Sequence, residues 1–178
     1  SERLKIHGLD LRHSPSVEIF CRYLENSLDS LDILVNNAAQ TVRRPPGWYS
    51  HLLAAEQMDC SDLPRDTQAL LVRHEELKHA LTALPRKALA SAAEASLSTW
   101  TAGGQGIGIR DSARLSQLRY FYDEEACPAE MFPAGRIDAD LQQVDLRLRN
   151  TWRLTLSEVA VAEMLEVHLI NAVAPFVL

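Results

Sequence analysis

Cysteine, long apolar runs and basic clusters are all scarce in this chain, and each shortage removes a class of protein. Its three cysteines, Cys21, Cys60 and Cys127, make neither an even disulfide set nor a metal-type pair spacing. That usage suits a reducing cytoplasm. No apolar run approaches the roughly 20 residues needed to span a bilayer, and the opening Ser-Glu-Arg-Leu-Lys-Ile lacks a signal peptide's apolar core. No membrane partner is expected. Lys and Arg number 18 against 24 Asp and Glu, a formal charge of −6, and no basic block of the nucleic-acid-binding kind occurs. Nucleic acid is excluded as an expected partner on the same ground. An initiator methionine is also missing, and the first apolar segment begins within a few residues of the start, so the chain reads as cut through a domain.

What is present is core-forming material, since 47% of the 178 residues are hydrophobic, enough for one domain or one domain and part of another. Residues 4–11 alternate weakly and end in Leu9-Asp10-Leu11, a strand pattern. His13-Ser14-Pro15-Ser16 then supplies helix-start chemistry, and Val17, Phe20, Cys21, Leu24 and Leu28 follow helical spacing. Ile33-Leu34-Val35 suits a parallel strand covered on both faces, and it runs into Asn36-Asn37-Ala38-Ala39-Gln40. Strand, helix, strand predicts the crossover unit of a parallel sheet. Ligands collect where such strands end. The two asparagines offer donors and acceptors there, and the alanines leave room for a flat ligand to approach the backbone.

Arg43-Arg44-Pro45-Pro46-Gly47 breaks the pattern and opens an insertion, residues 41–150, far longer than the usual connection of a few residues. It should carry structure of its own. Leu70, Leu71, Leu77 and Leu81 predict a helix over 66–82, and a second follows Pro85 over 87–97. A glycine-rich loop falls at 103–108, a further helix runs through Leu115, Leu118 and Phe121, and 127–136 reads as irregular. His74 and His79 are five apart and diverge by roughly 140° around a helix, so no zinc site is expected. Trp152 is a candidate pocket residue, with core packing the favoured role.

Beyond the insertion, Thr155-Leu156-Ser157-Glu158 has the spacing of a capping box. Ala160, Met164, Val167, Ile170, Val173 and Ala174 then form the apolar face of a long, largely buried helix. Pro175 cannot donate to the carbonyl of Asn171 four positions back, which predicts a kink that exposes an acceptor at Asn171.

Three of these segments together resemble the short-chain dehydrogenase/reductase family. Residues 31–40 resemble its Asn-Asn-Ala-Gly signature, with Ala39 in place of glycine. Leu9-Asp10-Leu11 resembles its Asp-Leu pair at the end of the third strand, and residues 170–176 resemble the segment bearing its catalytic asparagine. The resemblance covers 3–40 and about 150–178. It implies an α/β fold, a partial Rossmann-like doubly wound parallel sheet built from 1–40 and 151–178, with 41–150 as a mainly helical, loop-rich insertion that shapes the substrate pocket. It also implies NAD or NADP as cofactor, lined by Asp10, Leu11, Asn37, Ala38 and Ala39, with Asn36 bracing strands. Asn171 would hold the water of a proton relay. The substrate would be a small carbonyl or alcohol, and copies would pair as a homo-oligomer through the long final helix. Residues 101–108 nearly spell the family's phosphate loop, yet they lie downstream of Asp10 where that loop should lie upstream, so a flexible surface loop is expected.

The family's proton-transfer group, a tyrosine with lysine four residues later, is absent. Tyr23, Tyr49, Tyr120 and Tyr122 are followed at that distance by Ser27, Leu53, Glu124 and Ala126. The expectation is therefore the middle of a larger oxidoreductase, inactive as this chain alone. The alternative is a non-catalytic scaffold or protein-binding module.

Overall fold

The computed structural model describes residues 3–83, 106–119, 129–148 and 151–178. The chain divides into two compact units. Ser1–Ala39, Asp59–Ser112 and His168–Leu178 make the first, and Gln40–Met58 with Ala113–Val167 make the second.

In the first unit, α1 spans Ser14–Ser27. Pro15 lies in its first turn, where a missing N–H costs nothing. Val17 is fully buried, and Ile19, Phe20 and Tyr23 pack on a small core of Leu77, Leu81 and Ile109, joined by Leu9. Leu77 and Leu81 lie one turn apart on α3, Arg65–Ala83. Burying each leucine contributes about 1.5–3 kcal/mol, so these two carry much of the unit. Ile109 belongs to the single turn α4, Ile107–Arg110, which starts after Gly106 at φ +75°. Glycine suits that left-handed position, and a Cβ there would also stand 3.1 Å from Leu81.

A π-turn, Leu169–Val173, leads into α7, Ala174–Val177, where the amide of Ala174 donates to the carbonyl of Leu169 five residues back. The cause is Pro175, which has no N–H to continue the regular ladder. The distortion expected around Asn171 is thus present as a π-turn. Ala174 and Val17 are both fully buried where α7 meets α1, and the Cys21 thiol donates to the carbonyl of Val177 at 3.5 Å.

The second unit holds α2, Pro46–Glu56, again opened by proline at its first turn. Gly47 packs so closely on Phe132 that a Cβ would stand 3.0 Å from its ring. A tight reversal around Leu141 (φ 60°) makes the isolated antiparallel bridge Ile137–Gln143. The short helix α5, Ser112–Ser116, buries Leu115, and α6 is Val161–His168.

Several expectations are overturned. Among the described residues there is no β-strand, so the Rossmann-like doubly wound parallel sheet is not formed. Residues 4–11 instead give backbone bonds to helices, Ile6 N–H to Leu70 O at 3.1 Å and Asp10 N–H to Gly108 O at 2.8 Å. Residues 31–40 have neither helix nor strand, and Ile33 and Val35 are 78% and 76% exposed instead of covered on both faces. A run of apolar residues becomes a strand only with a ladder partner, and none of the described segments supplies one.

The final helix is also not largely buried. Val161, Met164 and Leu165 are exposed, Phe176 is 89% exposed, and the buried positions of α6 are Glu163 and Glu166. The capping box forms, with Glu158 accepting from the Thr155 amide at 2.8 Å, but it closes a 3-10 turn and α6 starts only at Val161. Trp152 is 59% exposed, so the favoured core role is not taken up. Ile107, Gly108 and Ile109 are buried, which corrects the flexible surface loop for that end of the glycine-rich string. The helix expected over 66–82 forms as α3. Residues 87–97, 101–105, Phe121 and Cys127 lie outside the described residues.

Candidate functional site

The first unit contains every residue the sequence singled out as a site residue. Asp10 ends the extended run from Leu4 and is partly buried. Arg12 closes a fork on its carboxylate, with Nε to Oδ1 at 2.9 Å and Nη2 to Oδ2 at 2.6 Å. Leu11 is partly buried beside it. Asn37, Ala38 and Ala39 are exposed on irregular backbone, and Asn171 is exposed at the centre of the π-turn.

What sequence reasoning missed is a buried polar knot at the start of α1. His13 Nδ1 stands 2.7 Å from Ser16 Oγ, and the amide of Gly108 donates to that oxygen at 3.0 Å. Gly108 O in turn accepts from the Asp10 amide. Glycine is required here by close approach, because a Cβ at 108 would meet Ser16 Oγ at 3.0 Å and Asp10 O at 3.2 Å. A hydroxyl on an imidazole near a carboxylate has the elements of a nucleophile. Ser16 is 0% exposed, however, so no substrate reaches its oxygen. The knot is a lock between α1 and α4. One signal was readable, the histidine three residues before a serine at a helix start. Its partner Gly108, 92 residues away, carried none.

Burial holds the His13 imidazole below its ordinary range, with Asp10 pulling the other way. A second histidine site lies between α1, α3 and the amino-terminal segment. His7 packs tilted against Phe20 and Tyr23 at ring separations of 5.2 and 5.4 Å and meets His74 nearly at right angles, 6.0 Å away. The Nδ1 atoms of His7 and His74 are buried without a hydrogen-bond partner. Burial lowers both pKa values, and for His74 the charge of Lys78 and the nearness of His7 lower it further while Glu75 opposes. Among the described residues no group of three or more His, Cys, Asp or Glu is placed to hold a metal.

The second unit has its own buried charges. Arg43, Glu163 and Glu166 are all at least nine-tenths buried. Glu163 Oε1 accepts the Arg43 amide at 2.9 Å, Glu166 Oε1 accepts from Gln40 at 2.8 Å, and Arg43 Nη2 donates to Leu118 O at 2.7 Å. Arg43 Nε stands 3.4 Å from Glu166 Oε2, a charge contact and not an aligned hydrogen bond. Nearby in sequence, Arg44 and Arg147 share the carboxylate of Asp145, at 3.3 and 2.7 Å. Arg44 lies over Trp48 and Arg147 over Phe132. Burial alone would raise the Asp145 pKa, but the hydrogen bonds and charge of Arg147, with Arg44 behind them, bring it below the ordinary carboxylate value.

Asn37, Ala38 and Ala39 offer an open amide-and-methyl surface, and Asp10 and Leu11 lie at the end of an extended segment. The residues present do not fit a pyrophosphate. The one described glycine pair of the near-match string is used internally, Gly106 against Leu81 and Gly108 against Ser16, so its backbone is closed to a phosphate. Compared with protein-family models, curated proteins and solved structures, the chain matches none. Among the described residues no helix is long and apolar enough to cross a membrane.

Proposed function

We propose that this chain is part of an NAD(P)-dependent oxidoreductase that moves hydride between nicotinamide and a carbonyl or alcohol, and that it is inactive by itself. The observation that carries the reading is the π-turn at Leu169–Val173. It surrounds Asn171, the residue singled out for a relay role, and π-turns within helices occur frequently at functional sites. Two further points support it. Of the segments that carry the family resemblance, residues 31–39, Leu9-Asp10-Leu11 and residues 170–176 belong to the first unit, and Gln40 belongs to the second. The chain also contains no Tyr-x-x-x-Lys, which leaves it without the proton donor that such chemistry uses. In this reading Asp10, Leu11, Asn37, Ala38 and Ala39 line the cofactor, the setting is cytoplasmic, and the complete protein is a homo-oligomer.

The test starts from the complete coding region. Its product should bind NADH or NADPH in a nicotinamide-fluorescence titration and turn over a carbonyl substrate. Pro175→Ala restores the missing N–H, so it should remove the π-turn and lower kcat by on the order of tenfold or more, with cofactor affinity unchanged. A complete protein that binds neither nucleotide would sink the proposal. The exposed apolar run Leu31, Ile33, Leu34 and Val35 favours a second reading, a non-catalytic scaffold that binds another protein. Absent cofactor binding combined with a stop codon directly after Leu178 would support it.

A further inference from the structure

The three histidines of the first unit that burial shifts lie along one route. His7 and His13 belong to the amino-terminal segment, residues 4–13, and His74 meets His7 from α3. Among the described residues, the Ile6 amide to Leu70 O and the Asp10 amide to Gly108 O tie that segment to α3 and α4, and the His13 carbonyl accepts from the Ser16 and Val17 amides at the start of α1. The remainder of its attachment is side-chain packing around the histidines and Leu9.

Both histidine sites require the neutral ring on geometric grounds. Ser16 Oγ uses a lone pair on the Gly108 N–H, and its single proton is satisfied by His13 Nδ1 only if that nitrogen is bare. An imidazolium would present a second N–H to the same oxygen and strand the hydroxyl proton in a fully buried place. At the other site, protonation would put an N–H on Nδ1 of His7 or His74 with no acceptor in reach, and two imidazoliums would repel across 6.0 Å.

The charged groups around these rings give little relief. Asp10 is already paired with Arg12 at 2.6 Å, and Glu75 with Lys78 at 2.9 Å.

We propose that residues 4–13 are an acid-released latch, docked on α1, α3 and α4 while His7, His13 and His74 are neutral and undocked when they take up protons. The sign follows from linkage. All three folded pKa values are lowered from the ordinary 6.5, so the undocked state binds more protons and docking strengthens as pH rises. Docking is complete above 6.5 and is lost as pH falls through the lowered values. The latch does not depend on the oxidoreductase reading.

Hydrogen exchange of the whole chain tests it, with rates corrected for intrinsic chemistry, between about pH 7.5 and about pH 5. The amides of Ile6, Asp10 and Gly108 should lose protection together, on the order of tenfold per pH unit for each linked proton. The triple variant His7→Phe, His74→Phe, His13→Asn keeps rings at the stack and a neutral acceptor at the knot, and it should stay protected at the acid end. Unchanged protection in the natural chain would overturn the latch, and so would loss in the triple variant at the same midpoint. Should the variant not fold, histidine-ring NMR of the natural chain decides. Three rings titrating below the others, in step with the loss of protection, support the latch; six rings titrating together near the ordinary value overturn it.

Discussion

The two units are held by opposite means. The first closes over leucine, isoleucine and aromatic rings, with histidine rings among them whose pKa values burial lowers. The second buries an arginine between two glutamates and braces two more arginines on one aspartate. The contrast teaches where each should fail. Apolar contacts with neutral histidines tolerate salt and suffer in mild acid, because acid puts charge where none is solvated. Buried ion pairs are indifferent to mild acid and depend on every partner being present, since removing one leaves the other charge stranded.

Acid should separate the units most. The first loses stability as pH drops below 6.5, because from there its three histidines bind protons more readily when released than in the folded unit, where their pKa values are lowered. The second has a depressed carboxylate, Asp145, whose contribution is intact above the ordinary 3.8 and is lost only as pH falls through its lower folded value. Hydrogen exchange should therefore show amides such as Asp10 opening at a pH where amides such as Val144 remain protected. Simultaneous opening would break the contrast.

Next comes Arg43→Met, which removes the guanidinium beside the buried Glu166 while Glu163 keeps the main-chain amide of residue 43. Loss of one partner of such a group costs about 3–5 kcal/mol, and denaturant unfolding of the second unit should show it. The double change Arg43→Met with Glu166→Met should recover most of that loss, because a buried ion pair replaced by apolar volume is often neutral. No recovery would mean that the bonds of Arg43 to Leu118, not its charge, hold the unit. Leu81→Ala follows in the first unit. It empties a core position that also borders Gly106, at a cost of about 2–5 kcal/mol, and its effect should be unchanged by salt.

The helices were legible because their signals are local. Pro15 after Ser14, the Leu77–Leu81 pair and the missing N–H of Pro175 each act within a turn or two, and α1, α3 and the π-turn appear where they predict. The sheet was not legible, because Ile33-Leu34-Val35 has strand composition while a strand is a property of two segments. The burial of Glu163 and Glu166 was hidden for the same reason, since a carboxylate is tolerated inside only because Arg43 and Gln40, more than a hundred residues earlier, come to it. Of the candidate site, Asp10 and Asn171 could be picked out by their neighbours in sequence. The knot around Ser16 could not, because half of it is Gly108.

That glycine gives the smallest and most discriminating change. Gly108→Ala adds one methyl 3.0 Å from Ser16 Oγ and Cβ and 3.2 Å from Asp10 O, in a position with no left-handed backbone to blame. Overpacking of this kind costs about 1–3 kcal/mol. If the glycine string served a phosphate, the methyl would weaken nucleotide binding and leave the apo chain as stable as before. If it serves the knot, the cost appears in the apo chain, and Ser16→Ala placed in the same background relieves only the Oγ contact, so the loss should shrink without vanishing. A destabilised apo chain with nucleotide affinity unchanged would assign Gly108 to the lock between α1 and α4, and would separate what the glycines resemble from what they do.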